Sequence, residues 1–360
     1  MLARLATAAA LLLFAMTTEA QTTTRQFQLA RTGEEGPSFL KLVEVPVRQP
    51  GANEVLVRVR AVSLNRRDIY VRLGQYPGPK PASLVPASDG AGEVVAIGTA
   101  VKRFRKGDRV AGIFFQKWLE GRPKPEYMAT ALGGSVDGML SEYVTLDENG
   151  LVKLPKYLSF EEAATLPCAG VTAWNALVTR GHTQPGDFVL LQGTGGVSVL
   201  GLQLALALGA KPVITSSSDE KLERAKALGA FAIINYKATP EWEKAVVAAT
   251  GGGVQQALEV GGKDTIGRTL ASLAPGGHVA LIGGLSSFGG DIPSLALMGS
   301  NATASGIYVG SRADFEALNA FLEKHRIKPA IDRVFPFEDA PKAYEYMNSG
   351  FLFGKVVIKL

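Results

Sequence analysis

The first third of the chain alternates short apolar and polar stretches, punctuated by glycine and proline, from Gln26 to about Lys153. Short strands are indicated at Glu54–Ala61, Gly92–Gly98 and Asp108–Gly112. Alternation with a period of two is typical of strands that bury one face, and glycine and proline mark the turns between them. The pattern therefore predicts a small antiparallel β-barrel.

From about Ser159 the pattern changes to alternating helices and strands. Ser159 is suited to be a helix N-cap because acidic residues follow it in the first turn. Strands that alternate with helices form a parallel, doubly wound sheet, so this part predicts an α/β fold. The predicted elements from residue 188 onward are a strand at Phe188–Leu191, an apolar helix, a strand at Pro212–Thr215, a helix at Asp219–Leu228, a strand at Phe231–Asn235, a helix near Pro240–Ala249, a strand at Gln256–Val260, a helix ending at Leu273 and a strand at His278–Ile282.

The last part of the chain, from Ala302 to Leu360, predicts one more strand, a helix at Ala313–Lys324 and a final strand within Gly354–Leu360. We expect the final strand to return to the first domain, which makes that domain discontinuous. The predicted division is one domain over residues 26–157 and 301–360, and a second over residues 158–300.

Length and composition agree with two globular domains. The chain has 360 residues, of which 46% are hydrophobic and 20% are charged, enough for two substantial cores. The formal net charge of +5 is a mild excess, and no basic face interleaved with aromatic residues accompanies it, so we expect no nucleic-acid partner. The single cysteine excludes an internal disulfide and any multi-cysteine zinc site.

Residues 1–20 have the layout of a secretory signal peptide. Arg4 precedes an apolar run from Leu5 to Met16, and small residues end the segment before Gln21. This layout predicts export to the periplasm or the exterior, with no membrane insertion after the signal is removed. The alternative is translation from Met16, which would leave a cytoplasmic protein.

The stretch Phe188–Ala210 holds no charged residue and combines a strand, a glycine loop and an apolar helix. Gly193, Gly195 and Gly196 let the backbone turn tightly and approach a ligand that a Cβ would block. The helix that follows presents free N–H groups and a positive dipole end, which suit a pyrophosphate. A membrane span and a plain strand–turn–helix are alternatives, but the repeated pattern downstream favours dinucleotide binding. Ser198 stands where the third glycine of the fingerprint would be, and it is small enough to pack there.

The end of the second strand of this unit bears on which dinucleotide is bound. NAD-binding versions place an acid there to hold the ribose 2′-hydroxyl, whereas this chain has Thr215–Ser218. The acids that follow are explained as first-turn helix acids, with Ser217 and Glu220 predicted to form a capping box. Hydroxyl groups followed by Lys221 and Arg224 suit a 2′-phosphate, so we favour NADPH, with NADH possible. The alternative is that both cations only decorate a solvent-facing helix.

The following motifs occur together in this chain: Ser63–Tyr70 (SLNRRDIY), Asp89–Val94 (DGAGEV), Gly107–Val110 (GDRV), Gly170–Trp174 (GVTAW), the glycine loop, Asn235-Tyr236 and Gly354–Val357 (GKVV). Together they resemble the medium-chain dehydrogenase/reductase superfamily, in its zinc-independent branch of quinone-oxidoreductase-like and zinc-free alcohol dehydrogenase-like proteins. The resemblance covers roughly residues 26–360. It implies a GroES-like β-barrel domain beside a Rossmann domain, and assembly as a homodimer or homotetramer.

Zinc-dependent members of this superfamily bind catalytic zinc through a cysteine, a histidine–glutamate pair and a second cysteine. The resemblance places Asn65, Ser88-Asp89 and Cys168 at these positions, and only Cys168 is a soft ligand, whereas catalytic zinc takes about three protein ligands. The segment Phe114–Gly134 stands in place of the four-cysteine lobe that holds structural zinc. We therefore expect neither catalytic nor structural zinc.

The resemblance also implies roles near the reacting atoms. Asn65 and Tyr70 would contact the carbonyl or quinone oxygen, Asp68 would orient them, and Tyr70 or a water would deliver the proton. The alternative is that Asn65 and Asp68 only close a turn before a helix. Thr172 would lie beside the nicotinamide ring. The residues expected to bind the cofactor are Gly193, Thr194, Gly195, Gly196, Val197, Ser216, Ser217, Lys221, Tyr236, Gly283 and Gly284.

The leading hypothesis is an NADPH-dependent, zinc-free oxidoreductase that transfers a hydride to a quinone or an α,β-unsaturated carbonyl, with a small molecule as its substrate. A second hypothesis is alcohol–aldehyde interconversion, which is disfavoured because forming an alkoxide without a metal needs a strong base and none is evident. A third belongs to another class: a non-catalytic NADPH-binding protein that senses redox state or binds RNA.

Overall fold

A computed structural model describes residues 22–31, 38–78, 81–287, 291–292 and 294–360, with the backbone alone at Arg31 and Ser38. The predicted signal segment, residues 1–20, lies outside the described residues. Within the described ranges, no helix combines the length and the apolar character needed to cross a bilayer.

Strands and helices fall into two groups along the chain. The strands are β1 (Thr23–Arg31), β2 (Ser38–Pro46), β3 (Glu54–Leu64), β4 (Ser83–Leu84), β5 (Asp89–Ile97), β6 (Arg109–Gly112), β7 (Tyr143–Asp147), β8 (Leu151–Lys153), β9 (Phe188–Gln192), β10 (Lys211–Ser216), β11 (Ala232–Asn235), β12 (Val254–Glu259), β13 (Leu273–Leu281), β14 (Thr303–Gly306), β15 (Ile331–Pro336) and β16 (Lys355–Lys359). The α-helices are α1 (Arg66–Arg72), α2 (Pro125–Met128), α3 (Phe160–Ala164), α4 (Val171–Trp174), α5 (Gly196–Ala207), α6 (Asp219–Ala227), α7 (Trp242–Thr250), α8 (Ile266–Ala271), α9 (Ser294–Ser300), α10 (Arg312–His325) and α11 (Ala340–Ser349). Wider, π-helical turns at Leu166–Gly170 and Asn175–Thr179 flank α4.

The first group is mainly antiparallel. Strands β2, β1 and β4 form one small sheet, and a larger sheet runs in the order β15-β16-β3-β5-β6-β8, with β7 also paired to β3. At the centre, β3 buries Val55, Val57 and Val59 and exposes Arg58, as the predicted period of two requires, although Leu56 on the same face as Arg58 is buried too. Every pairing of β3 is antiparallel.

The second group is a six-stranded sheet in the order β11-β10-β9-β12-β13-β14, and every neighbouring pair in it is parallel. This order reverses beside β9, as in doubly wound folds. The predicted fold class, a parallel Rossmann sheet beside an antiparallel domain, is confirmed. The parallel sheet extends past the boundary predicted at residue 300, because Thr303–Gly306 pairs with β13 as its sixth strand.

Helix α5 explains why the stretch after the glycine loop carries no charge. It packs against β9 and β10 on one side and against α4 and the π-turn Leu166–Gly170 on the other. Leu200, Leu202 and Leu204 are all at most 2% exposed. A helix that is apolar all round is explained by burial on every face, here inside the protein. A Cβ at Gly201 would lie 3.0 Å from the side chain of Leu191, so a small residue lets this helix approach the sheet closely.

The last strand connects the two groups. Strand β16 lies antiparallel to β3, inside the first sheet. Just before β16, the Gly354 N–H donates to the carbonyl of Thr194 at 2.9 Å, and Gly354 forms a bridge with Gly195 of the glycine loop. The C-terminal segment therefore holds the glycine loop of one group against a central strand of the other.

Gly354 and Gly350 offer a matched test of this junction. Both have positive φ, 83° and 74°, but a Cβ at Gly354 would lie 2.5 Å from the carbonyl oxygen of Ala330, whereas one at Gly350 meets nothing within 4 Å. We expect Gly350→Ala to cost about 1 kcal/mol of unfolding free energy, from the backbone conformation alone. Gly354→Ala should cost about 2–4 kcal/mol because the backbone must also move.

Urea unfolding of both variants measures the difference. Equal losses would show that the contact between Gly354 and Ala330 is easily relieved and that the junction is not tightly packed.

Candidate active site

A cavity of about 660 Å³ lies between the two groups, at the carboxyl ends of β9, β10, β12 and β13. Ligands of open parallel sheets bind at this edge, beside the point where the strand order reverses. Fourteen of the fifteen predicted site residues line it: Asn65, Tyr70, Thr172, Gly193, Thr194, Gly195, Gly196, Val197, Ser216, Ser217, Lys221, Tyr236, Gly283 and Gly284. Asp68 is the exception.

The glycine loop forms one wall of the cavity. Gly193 has φ +67°, which glycine adopts without strain, and a Cβ at Gly193 or Gly195 would meet no atom within 4 Å. Gly195 is the N-cap of the twelve-residue helix α5, so the first N–H groups of this helix have no partner within the helix. The space over the loop and the donors beside it fit a diphosphate. Ser198 is 2% exposed and donates to the Gln192 carbonyl at 2.6 Å, so it packs where the third glycine was expected.

A buried polar network fixes the strand ends beneath this loop. The Gln192 side chain donates to Glu259 at 2.8 Å and accepts from the N–H groups of Val260 and Gly261. The other oxygen of Glu259 accepts from Gly261 and from the Thr265 hydroxyl. Because each buried group is satisfied by another, β9 and β12 end in a defined geometry.

The end of β10 differs from the expectation by one residue. The N-cap of α6 is Ser218, whose hydroxyl accepts from the Lys221 N–H, so the predicted capping box of Ser217 and Glu220 is wrong. Ser217 is not used as the cap and lines the cavity together with Ser216. The acid at the start of the helix, Asp219, accepts from the Asn235 side chain.

The two cations of α6 have different surroundings. The Lys221 ammonium donates to the Gly350 carbonyl at 2.9 Å and lines the cavity, and partial burial lowers its pKa. Arg224 instead pairs with Asp332 at 3.0 Å and stacks on Phe353, and it is not part of the cavity wall. Of the two cations suggested for a 2′-phosphate, only Lys221 lies where it could serve.

The opposite wall is formed at the start of α1. Asn65 is its N-cap, and the Asn65 N–H donates to the Asp68 carboxylate at 2.8 Å. Asp68 is 1% exposed, its other oxygen has no hydrogen-bond partner among the described atoms, and Arg67 lies 3.6 Å away. Burial therefore raises the pKa of Asp68 to about 6, although Arg67 opposes the shift. Asp68 stabilises the start of α1 through the Asn65 N–H and does not line the cavity.

The positions compared with zinc ligands meet around a lysine. The Lys355 ammonium donates to Asn65 Oδ1 at 2.5 Å and to the Leu64 carbonyl at 2.8 Å, and it lies 3.8 Å from Asp89. Lys355 and Asp89 are 2% and 0% exposed. The second Asp89 oxygen accepts from the Ser88 hydroxyl, and the first accepts from the Cys168 N–H at 3.2 Å.

This donor set does not fit zinc. Zinc takes thiolate, imidazole or carboxylate ligands. Here an ammonium stands between Asn65 and Asp89, and burial raises the pKa of the Cys168 thiol, which disfavours the thiolate form. Across the part of the chain that the structure describes, no group of three or more histidine, cysteine or acidic side chains is placed to hold a metal ion.

The outer end of the cavity is aromatic and spans both groups of strands. The Arg67 guanidinium lies between the rings of Tyr76 and Phe114, at 4.9 and 4.6 Å, and donates to the Leu132 carbonyl. The hydroxyl of Tyr76 meets that of Tyr308, which follows β14, at 2.5 Å. Burial raises the pKa of Tyr76. A planar apolar substrate would therefore meet aromatic side chains at this end.

Sequence reasoning missed Lys355, Arg67, Tyr76 and Tyr308 as parts of this cavity. Lys355 lies in the same short strand as Lys359, four residues away. Because side chains alternate between the two faces of a strand, the pattern predicts the same face for both lysines, although only Lys355 is buried. Arg67 is part of a recognised motif, yet nothing in its spacing distinguishes it from the neighbouring Arg66. The tyrosines come together only through the tertiary fold.

Two family models match the chain. The model described as an alcohol dehydrogenase GroES-like domain matches residues 51–156, and that described as a zinc-binding dehydrogenase matches residues 196–324. A zinc-type alcohol dehydrogenase-like protein of Schizosaccharomyces pombe is 46% identical over 326 residues, which cover 88% of this chain and 93% of that protein.

Solved structures of similar proteins share the fold. A candidate alcohol dehydrogenase from Sinorhizobium meliloti 1021 superposes with a TM-score of 0.90 at 42% identity, covering 95% of this chain and 100% of that one. An NAD-dependent alcohol dehydrogenase gives 0.83 at 34% identity, covering 93% and 99%. A quinone oxidoreductase from Pseudomonas syringae pv. tomato DC3000 gives 0.76 at 30% identity, covering 94% and 100%.

The raised pKa of Asp68 predicts a pH dependence of stability. The folded carboxyl titrates near 6 and the unfolded one near 4, so the folded protein binds the proton more tightly between these values. The contribution of Asp68 to the free energy of unfolding should therefore fall by about 3 kcal/mol as pH rises from about 4 to above 6. Asp68→Asn cannot titrate, so the difference between wild type and variant in urea unfolding should follow this slope.

The exposed Asp264 supplies a control. Asp264→Asn makes the same replacement at the surface and should not reproduce the slope of Asp68→Asn. A flat difference between wild type and Asp68→Asn would show that the Asp68 carboxyl has an ordinary pKa.

Proposed function

The chain belongs to the medium-chain dehydrogenase/reductase superfamily and is an alcohol dehydrogenase-like oxidoreductase with a nicotinamide cofactor; from this premise we propose that it is a zinc-independent, NADPH-dependent reductase of quinones or α,β-unsaturated carbonyls. The observation that carries the proposal is the buried Lys355 ammonium beside Asn65 and Asp89, at the positions where zinc-dependent relatives would hold their metal. It supports a site that acts on a substrate oxygen by hydrogen bonding.

The residues that line the cavity would contact successive parts of the cofactor, from the 2′-phosphate to the nicotinamide. The Gly193–Val197 loop and the start of α5 would hold the diphosphate. Ser216, Ser217, Lys221 and Tyr236 would hold the 2′-phosphate, since these side chains offer donors and positive charge where NAD-binding proteins offer an acid. Gly283, Gly284 and Thr172 would contact the nicotinamide end. When bound, the cofactor supplies the hydride.

The polar groups around the substrate end are mainly donors. Asn65 Nδ2 is buried without a hydrogen-bond partner among the described atoms, and Lys355 and Thr172 line the same cavity. Donors of this kind stabilise the negative charge that develops on a carbonyl oxygen when a carbon conjugated with it accepts a hydride. We infer that Asn65 binds the substrate oxygen and that Tyr70 or a water supplies the proton that completes the reduction.

Asp68 has a different role in this proposal. It does not line the cavity, and its carboxylate accepts from the Asn65 N–H. It therefore orients the start of α1 and does not itself exchange a proton with the substrate.

Alcohol–aldehyde interconversion is the second candidate, favoured by the names of several relatives. Without a metal, oxidation of an alcohol needs a base that removes the hydroxyl proton. Asp68 is the acidic residue among the predicted site residues, and it does not face the cavity. The site therefore supports reduction of quinones or α,β-unsaturated carbonyls better than oxidation of alcohols.

A substrate screen tests the reaction class. We expect NADPH oxidation with a naphthoquinone or a 2-alkenal, unaffected by a chelator, and slow or no NADP⁺ reduction with simple alcohols, as followed by cofactor absorbance. Chelator-sensitive oxidation of alcohols would favour the second candidate. Tight NADPH binding without turnover of any compound would instead favour a non-catalytic sensor.

The coenzyme preference is tested at Lys221. Losing a charge-assisted hydrogen bond costs about 1.5–3 kcal/mol, so Lys221→Met should raise the KM for NADPH by about 10- to 100-fold and leave that for NADH nearly unchanged. Lys226→Met, on the exposed side of α6, is the matched control and should change neither. Equal effects of Lys221→Met on both coenzymes would mean that the lysine does not contact the 2′-phosphate.

A further inference from the structure

Lys355 is a buried cation that the predicted chemistry does not include. It begins β16, its side chain is 2% exposed, and it lines the cavity. Its stem runs beneath the glycine loop, since a Cβ at Gly196 would come within 2.6 Å of Lys355 Cδ. Burial of an ammonium costs a large desolvation free energy. A buried lysine therefore needs hydrogen-bond acceptors or a counter-charge around its ammonium.

Those partners fix which way the Asn65 amide is turned. An ammonium donates hydrogen bonds and accepts none, so the Asn65 atom at 2.5 Å from it must be the carbonyl oxygen. The amide nitrogen, Nδ2, is thereby directed away from Lys355. It is buried and has no hydrogen-bond partner among the described atoms, in a residue that lines the cavity. A buried N–H left without a partner costs free energy that a ligand oxygen would recover.

The charge of Lys355 is balanced inside the protein. Asp89, fully buried, lies 3.8 Å away and is itself held by the Ser88 hydroxyl and the Cys168 N–H. The Leu64 carbonyl accepts a further hydrogen bond from Lys355. The ammonium is thus held by two hydrogen-bond acceptors and one carboxylate, all of which belong to the first group of strands.

We propose that Lys355 is a positioning residue for the reduction: it holds the Asn65 carbonyl so that the amide N–H groups are available to the substrate oxygen, and its charge makes those groups stronger donors. A hydrogen bond to an amide oxygen polarises the amide and strengthens donation from its nitrogen. The effect grows as negative charge develops on the substrate oxygen, so it acts on kcat more than on ground-state binding. This inference rests on the proposed function.

The proposal also accounts for the disagreement with zinc. At the compared positions, this chain has Asn65, the pair Ser88-Asp89 and Cys168. Asn65 and Asp89 lie 2.5 and 3.8 Å from the Lys355 ammonium. A positive charge is still present at this place, but it reaches the substrate through a side-chain amide.

A double-mutant cycle of Asn65→Ala and Lys355→Met tests whether the two residues act as a unit. We expect Asn65→Ala to lower kcat by about 100-fold and Lys355→Met by about 10- to 100-fold, with the KM for NADPH changed by less than about threefold. Because Lys355 acts through Asn65, the double variant should lie within about threefold of Asn65→Ala alone. Losses that multiply, or a large rise in the KM for NADPH, would overturn the proposal and assign Lys355 to cofactor binding.

The matched control is Lys359→Met on the same strand. Lys359 is exposed and pairs with Glu161 at the surface, so its removal should leave kcat unchanged. If Lys355→Met does not fold because Asp89 loses its partner, Asp89→Asn combined with Lys355→Met removes both charges. When Asn65→Ala is added to that double variant, kcat should again lie within about threefold of the value for Asn65→Ala alone.

A readout independent of turnover separates this inference from the proposed function. In protein labelled with ¹⁵N-asparagine, the side-chain amide signal that Asn65→Ala removes belongs to Asn65. Lys355→Met should displace that signal, and Lys359→Met should not. Failure of wild type to reduce any quinone or enone would refute the proposed function alone, whereas an undisplaced Asn65 signal would refute the positioning role alone.

Discussion

The cavity exists because the last strand of the chain returns to the first sheet. Strand β16 pairs with β3, and the residue before it bonds to the glycine loop of the parallel sheet. This crossing, together with the buried core that the two groups share, brings the ends of the parallel strands against the start of α1. The glycine loop and Asn65 thereby line the same cavity.

Beside this crossing, four charged side chains are buried away from solvent. Arg67, Asp68, Asp89 and Lys355 are each at most 7% exposed, two of each sign. Buried charges of this kind persist only when pairing and hydrogen bonds offset their desolvation, and removal of one partner exposes the cost of the other. The arrangement leaves Asp68 with a raised pKa and gives Asn65 a cationic partner. Electrostatic preorganisation by protein groups in this region is the alternative to a metal ion.

The parts of the fold that depend on local patterns could be predicted from the sequence. The glycine loop and the strand–helix alternation after Phe188 are set by residues close in the chain, and the predicted elements match the observed ones within a few residues. Errors arose where a distant pairing or a single torsion decides the outcome. Ser218 caps α6 instead of Ser217 because the helix begins one residue later than predicted. Strand β14 joins the parallel sheet through a neighbour that no local pattern identifies. Lys355 could not be told from Lys359, because burial of one and exposure of the other follow from which segments lie over them.

Lys355 meets Asn65 across 290 positions of the sequence. Contacts of such sequence separation form late in folding, because closing a long loop costs conformational entropy. The Asp89 carboxylate therefore gains its counter-charge only when β16 adds to the first sheet. Detachment of this one strand would remove the cation from Asn65 and Asp89 together, so fraying of β16 and loss of the buried polar cluster are a single event.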